Sequence, residues 1–295
     1  MSGLQQTAST FMHCQLLYMN ETQHAQVKSL QALIAQHQLP ITLNAELFTD
    51  KLNQKRRQQL SQVSSQPILI LDEKNKLSWL SDGLSVAPEW DKLQRRVVSA
   101  GRKSELLLQA AKITADSHVI DATAGFGHDS LILGSTGAQV IMLEEQPLMA
   151  LLLLVEQQRM SALPNWQKLM SRLQVINTDA LSYFAKLQTD AISDSKAIDA
   201  VYLDPMFPEN SYQDNKTGKG AKVGKHMQAL HQLARPPTLT EETQLLKSAR
   251  AIVSQNARTS GRVIVKRPQF APLLAHQPLS ESWHNEAVRF DAYFV

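Results

Sequence analysis

A single cysteine, Cys14, stands in 295 residues, so an internal disulfide and a thiolate metal cluster are both excluded. Long apolar runs are missing too. The longest lies near Leu148 to Val155, well short of the ~20 residues that cross a bilayer. The nine histidines show no metal-ligand spacing, and residue order nominates no Ser/His/Asp set, so no metal is expected. Charge is ordinary at 19%, with a formal excess of +3 and a pI near 8.9. Such mild basicity suits an anionic partner and many small-molecule enzymes equally. The opening Met1-Ser-Gly-Leu-Gln-Gln lacks the basic-then-apolar pattern of a secretory signal. The expectation is a soluble cytoplasmic protein with no membrane attachment.

What is present divides into two zones. A small N-terminal α/β domain is expected over 1–94, rich in Gln, Ser and Leu. It has strand-like pieces at 12–19 and 67–72, and a helical pattern over 21–37 carried by Val27, Leu30, Leu33 and Ile34. No chemistry is legible there. Over 95–295, strands expected at 118–123, 139–144, 173–177, 200–203 and 262–266 alternate with helical stretches at 130–133, 147–160, 180–187 and 240–253. That alternation calls for right-handed crossovers and a doubly wound, mostly parallel sheet. The tail, 287–295, is again strand-like and suits a sheet edge.

Four strand ends carry chemistry. In Val201-Tyr-Leu-Asp-Pro-Met-Phe-Pro208, a buried strand runs into Asp204 and is stopped by Pro205. Parallel sheets bind ligands at such strand ends. Asp204 and the Pro205 carbonyl can accept hydrogen bonds from an exocyclic amine, and Phe207 can lie against a base face. The alternative is a proline-stiffened loop in which Phe207 is core. In Val119-Ile-Asp-Ala-Thr-Ala-Gly-Phe-Gly-His-Asp129, Gly125 and Gly127 let backbone pass close to a ligand. Ser130 occupies the third glycine position of the dinucleotide fingerprint, and Asp121 stands before the glycines. This favours S-adenosylmethionine over NAD, although the glycine pair alone equally fits a tight turn. Glu144 ends the strand Val140-Ile-Met-Leu-Glu-Glu145, where an acid can accept both ribose hydroxyls or simply be solvated. Asp179, after Leu173-Gln-Val-Ile-Asn-Thr, suits either the adenine edge or a helix N-cap, and both readings stay open.

Basic residues flank these sites. The loop containing Lys216, Lys219, Lys222 and Lys225 invites a phosphate-loop reading, which fails because Lys219 and His226 stand where glycine and Ser/Thr are needed. Phosphate-backbone contact suits it better. Arg95, Arg96, Arg102 and Lys103 form a second group, and Lys266 and Arg267 close the fifth strand and add to that surface. Solvated charge is the plain alternative for each.

The residues Asp121-Ala-Thr-Ala-Gly-Phe-Gly-His-Asp129, Leu143-Glu144, Tyr202-Leu-Asp-Pro-Met-Phe-Pro208, Val265-Lys-Arg-Pro268 and Arg289-Phe-Asp-Ala-Tyr293, with Gly101-Arg102 more weakly, resemble the RsmJ family. Its members are S-adenosylmethionine-dependent methyltransferases of 16S ribosomal RNA. The resemblance runs from near Arg95 to the end. It implies a Rossmann-like class I methyltransferase fold and methylation of a guanine exocyclic N2, at the nucleotide usually numbered 1516. Free 16S rRNA or the small ribosomal subunit is then the partner. Carried over by motif position, His128, Asp129, Glu144, Glu145 and Asp204 contact the cofactor, together with Asp179 and Ala180. The chain departs from the family pattern at His128 and Glu145, where arginine is common, and at Asp179-Ala180, where a Ser-Ser pair is common. These departures touch individual cofactor contacts more than the reaction.

Three other activities compete with guanine N2 methylation. They are methylation of adenine N6 or another nucleic-acid amino group, an NAD-dependent oxidoreductase, and RNA binding without catalysis. Ser130 weighs against NAD, and the intact Asp204 motif weighs against binding alone.

Overall fold

Two stretches of chain build separate cores. The computed structural model describes residues 11–190, 197–207, 224–253 and 261–295, and the chain divides into compact units Met1–Ala87 and Pro88–Val295. In the first unit, β1 (Met12–Tyr18), β2 (Ile41–Leu47), β3 (Ile68–Leu71), β4 (Leu77–Ser81) and β5 (Leu84–Val86) form one sheet in the order β2-β1-β3-β4-β5. Helix α1 (His24–Gln36) buries Val27, Leu30 and Ile34, one stripe at helical spacing. Helix α2 (Gln54–Val63) is polar and opens on an Asn53 cap that accepts from the Arg56 amide. All four residues of β3 are buried, so its sequence is a continuous apolar run. Burial pushes the Cys14 thiol up to about 11, which leaves it neutral and unreactive.

The second unit begins before the division expected after residue 94. Trp90 is fully buried. Its indole donates to the Phe126 carbonyl at 2.7 Å, and its amide donates to Glu156 at 2.9 Å. Two short helices, α3 (Gln94–Ser99) and α4 (Leu106–Ala111), lead into β6 (His118–Asp121), α5 (His128–Ser135) and β7 (Gln139–Glu144). Then come α6 (Pro147–Ser161), α7 (Pro164–Met170), β8 (Leu173–Asn177), α8 (Ala180–Asp190) and β9 (Ala200–Leu203). The chain ends with α9 (Lys225–Leu233), α10 (Leu239–Ile252), β10 (Arg262–Pro268), β11 (Glu281–His284) and β12 (Val288–Phe294). Helix α6 starts on Pro147 at its first turn, where proline costs no hydrogen bond. Every residue from Leu148 to Leu154 is buried, which explains its lack of an exposed polar stripe.

The sheet order is β11-β12-β10-β9-β6-β7-β8. The five strands from β8 across to β10 run parallel, while β12 pairs antiparallel to β10 and β11 pairs antiparallel to β12. The tail is a strand as its pattern predicts, but β11, not the tail, forms that edge. From β6 the chain winds outward through β7 and β8, then returns to build β9 and β10 on the other flank. The order therefore reverses between β6 and β9, and the crevice at their carboxyl ends is where such sheets take ligands. Ile120, Leu143, Val201, Leu203, Val263 and Val265 belong to one buried cluster with Phe184, Leu246 and Leu274. The predicted strands and long helices are present with small shifts of boundary. Elements of few residues or weak periodicity (β2, β4, β5, α2, α3, α4, α7, α9 and β11) do not stand out in the sequence.

Candidate active site

The turn from β6 to α5 is tied to both neighbouring strands. The Ala124 amide donates to the Leu143 carbonyl at 3.0 Å, and the Gly125 amide to Glu144 Oε2 at 2.9 Å. On the other side, the Asp204 amide donates to Thr123 Oγ1 at 2.6 Å. Gly125 and Gly127 both have positive φ, +53° and +72°, but for different ends. A Cβ on Gly125 would meet nothing nearer than Leu230 at 3.7 Å; one on Gly127 would lie 2.7 Å from Met142 and 2.8 Å from Trp90. Gly127 is thus a packing glycine, and Gly125 is the one beside open space.

That space is a cavity of about 520 Å³ at the carboxyl ends of β6, β7, β8 and β9. Thr123, Gly125, Glu144, Glu145, Asp179, Ala180, Asp204 and Pro205 line one side of it, and Leu230, Leu233, Arg235 and Glu241 another. Six of the predicted ligand residues and both members of the predicted acceptor pair therefore meet at one margin. Glu144 is almost fully buried. Its Oε1 accepts from the Gln146 amide at 2.8 Å, while burial pushes its pKa up to about 7. Asp179 caps α8, with Oδ1 accepting from the Ser182 amide at 2.8 Å, and still lines the cavity. The two readings of this residue are compatible.

Asp121, His128 and Asp129, expected at the cofactor, are not among the lining residues. Asp121 is 1% exposed and accepts from Ser130 Oγ and the Thr123 amide. Burial pushes its pKa up to about 7, and Asp129 and Asp204 add to the effect. Ser130, read as a missing glycine, is the partner that this buried acid needs. His128 is held through Nε2 to the Pro88 carbonyl at 2.8 Å, and burial lowers its pKa. Its ring sits in a cluster with Phe126 and His226.

Asp129 points to the acceptor side. Its Oδ2 accepts from Tyr202 Oη at 2.7 Å and from Lys266 Nζ at 2.9 Å, and the same ammonium donates to Asp204 Oδ2 at 2.8 Å. Burial disfavours the Asp129 anion, but Lys266 and Tyr202 outweigh it and hold its pKa below the usual value. Burial raises the pKa of Asp204, with Lys266 opposing. The Lys266 pKa is raised by the two carboxylates against the effect of burial.

Three expectations from sequence are corrected here. Lys266 is not a surface cation, because β10 pairs with β9 at Val265↔Leu203 and so sets the next residue beside Asp204. Arg267 is 3% exposed. It donates to the Pro272 carbonyl at 2.9 Å and to Glu242 at 3.2 Å. Its guanidinium carbon lies 4.5 Å from the Phe207 ring centroid, and that ring is itself buried. Phe207 therefore stacks on arginine inside the protein, and Met206 and Pro205 face the cavity instead. Arg95, Arg96, Arg102 and Lys103 are exposed as expected, with Arg96 paired to Glu105 at 2.9 Å and its charge acting on Asp129. Lys216, Lys219 and Lys222 lie outside the described residues, and Lys225 opens α9. Among the described residues no His/Cys/Asp/Glu group could hold a metal ion, and no helix is long and apolar enough to cross a membrane. Trp90, Thr123 and Tyr202 carry structural roles at the site that no local pattern announces.

A doubly wound sheet with an acid-lined cavity at its switch point is the framework of Rossmann-like S-adenosylmethionine-dependent methyltransferases. Residues 45–295 match the family described as "Putative SAM-dependent methyltransferase". The protein named Ribosomal RNA small subunit methyltransferase J in Psychrobacter cryohalolentis is 78% identical over 296 residues, covering 100% of both chains. The protein of the same name in Acinetobacter baumannii (strain ACICU) is 37% identical and covers 73% of this chain and 74% of its own. A crystal structure of a SAM-dependent methyltransferase from Neisseria gonorrhoeae shares the fold, with a TM-score of 0.65 at 24% identity over 95% of each chain. The chain belongs to the ribosomal RNA small subunit methyltransferase J family of S-adenosylmethionine-dependent enzymes.

The two glycines give a steric test of the turn. Gly127→Ala combines left-handed strain with overlap in the core and is expected to cost ~2–4 kcal/mol of stability. Gly125→Ala meets only the strain, about 1–2 kcal/mol. Urea denaturation of both variants checks the order, and equal losses would contradict the packing role of Gly127.

Proposed function

We propose that this protein transfers a methyl group from S-adenosylmethionine to the exocyclic N2 of a guanine in 16S rRNA, at the nucleotide usually numbered 1516. The observation that carries this reading is that Asp204 and Pro205 line the same cavity as Gly125 and Glu144. Donor and acceptor groups would then meet at one sheet margin. The residue chemistry suits the cofactor. About 520 Å³ lies within the range of small-ligand sites, roughly 300–1,000 Å³. Glu144 has spent one lone pair per oxygen on backbone amides, and a carboxylate offers about four acceptor sites in all. Two remain for the ribose hydroxyls. Asp179 and Ala180 are assigned to the adenine edge, Glu145 to the rim, and the Gly125 backbone to close approach. Asp121, His128 and Asp129 act from behind the wall by holding the turn and Lys266.

When bound, the cofactor supplies an already activated sulfonium methyl, so the protein's task is alignment. A guanine amine is a poor nucleophile because its lone pair is delocalised into the ring. Asp204 and the Pro205 carbonyl accept its two N–H groups and favour a more tetrahedral nitrogen with the lone pair directed inward. Asp204 then takes the proton released as the nitrogen becomes a secondary amine. The base must leave any stack to reach the cavity, and the exposed Arg95, Arg96, Arg102 and Lys103 engage flanking phosphates. The small ribosomal subunit, or its free rRNA, is the partner that this reading names.

Side-by-side assays on 16S rRNA, tRNA and DNA, with nucleoside mass spectrometry, test the substrate directly. One N2-methylguanosine in 16S rRNA is expected, and N6-methyladenosine would favour the alternative amino acceptor. Asp204→Ala is expected to lower turnover by at least ~100-fold, the usual scale for loss of a transition-state acceptor.

Glu144 makes cofactor binding pH-dependent. Hydroxyl donors favour its anion, and the free protein takes up a proton at about pH 7. Affinity for S-adenosylhomocysteine should therefore be flat above that pH and fall below it, by up to about tenfold per pH unit. Calorimetry from pH 5.5 to 8.5, ranges chosen on the order of the group's titration, should show this slope in the wild type and not in Glu144→Gln. Neutralising Arg95, Arg96, Arg102 and Lys103 together should reduce the slope of log affinity against log salt for RNA by ~2–3. An unchanged slope removes this face from the RNA interface.

A further inference from the structure

We infer that Lys266 is a positioning residue of the methyl-transfer site, whose partly buried ammonium fixes the Asp204 carboxylate as an anion in one orientation. The inference deepens the proposed reaction and rests on that reading for its consequence in catalysis. Its structural premise stands alone: one ammonium lies 2.8 Å from Asp204 and 2.9 Å from Asp129, on a strand whose register pairs Val265 with Leu203 and so sets Lys266 beside Asp204.

The local charges show why a cation is needed. Asp121 on β6 and Asp129 on α5 both act on Asp204's surroundings, and Tyr202 on β9 adds a buried phenol. From β10, Lys266 and Arg267 oppose them, while Arg96 on α3 acts on Asp129. Arg267 is committed to Glu242 and the Pro272 carbonyl, which leaves Lys266 as the cation hydrogen-bonded to Asp204. Three acids in one partly desolvated volume cannot all stay ionised without such a partner.

The charge state decides what Asp204 does. An anion accepts from the substrate amine and later takes its proton, passing from carboxylate to carboxylic acid as the N–C bond forms and the S–C bond breaks. A protonated Asp204 has no vacancy for that proton and presents a donor where an acceptor is required. Lys266 itself cannot be the base, since two carboxylates hold it protonated. Asp129, which also accepts from Tyr202 Oη, holds the ammonium from its other side. The sequence motif Lys266-Arg267-Pro268 thus divides its work: the lysine serves the site, and the arginine packs on Phe207.

The test titrates Asp204 by carboxyl carbon-13 NMR in the wild type, Lys266→Gln and Lys266→Arg, with Asp204→Asn to assign the signal. Loss of the ammonium should raise the Asp204 midpoint by ~1–3 pH units, the scale of an adjacent opposite charge. Arginine should hold the midpoint near the wild-type value. In turnover, Lys266→Gln should move the acidic limb of kcat upward, so that activity lost at neutral pH returns as pH rises. Lys266→Arg should restore most of it, and KM for cofactor should stay within about threefold in both variants. An unmoved Asp204 midpoint, or a uniform loss of kcat at every pH, overturns the inference. If Lys266→Gln does not fold, the comparison of Asp129→Asn with Asp129→Asn/Lys266→Gln replaces it, because cation and anion then leave together. No RNA enters the NMR measurement. A shifted midpoint with no rRNA methylation by the wild type would sink the substrate reading alone, and methylation with an unshifted midpoint would sink this inference alone.

Discussion

Parallel pairing brings the ends of β6, β7, β9 and β10 to one margin, and with them four carboxylates that would repel one another if left bare. Each is stabilised differently. Asp121 takes Ser130 and the Thr123 amide, with a pKa pushed up to about 7. Glu144 takes two backbone amides, from Gly125 and Gln146. Asp129 and Asp204 share the ammonium of Lys266, and Tyr202 completes the set. Removing one member of such an arrangement costs more than the interaction is worth, because the remaining charge is stranded. The shape of the turn follows from these bonds. Gly125 must offer its amide to Glu144, and Thr123 must sit where it can receive the amide of Asp204.

Much of this framework is legible in the sequence because buried parallel strands are short apolar runs that stop abruptly. Gln139–Glu144, Leu173–Asn177 and Ala200–Leu203 each end on a polar residue or run into an acid or proline, and the structure terminates them there. That stop also marks which acids reach the cavity, so Glu144, Asp179 and Asp204 are found by position alone. Asp121 obeys the same pattern but lies under the turn, not over it, and a sequence does not record which side of a backbone bend a side chain takes.

Pairing between distant segments is the part that local pattern cannot supply. Lys266 and Arg267 read as a surface pair because two cations in succession are ordinarily solvated. Their placement depends on β10 lying against β9, a register of Val265 with Leu203, and on Glu242 from α10 reaching Arg267. Phe207 follows the same logic: its ring looks available beside two prolines until the arginine that covers it is known. Trp90 sits in a stretch with no periodicity, yet its indole closes on the Phe126 carbonyl and fills the space that forces residue 127 to be glycine.

The formal charge of +3 says little about recognition; its distribution over the second unit says more. Among the described residues the cavity wall is acidic, with Glu144, Glu145, Asp179, Asp204 and Glu241 against one lining cation, Arg235, which is paired to Glu241 at 2.8 Å. Such a wall attracts a sulfonium and repels phosphate. The outer face of α3 and the turn after it carry Arg95, Arg96, Arg102 and Lys103, the opposite polarity. Under the proposed assignment the two substrates are sorted by field before any contact is made. A backbone polyanion is kept on the basic face, and only an uncharged base, presenting its amine, has reason to cross into the acidic one. Neutrality of the entering group is then itself a selection, made by the acids that line the cavity.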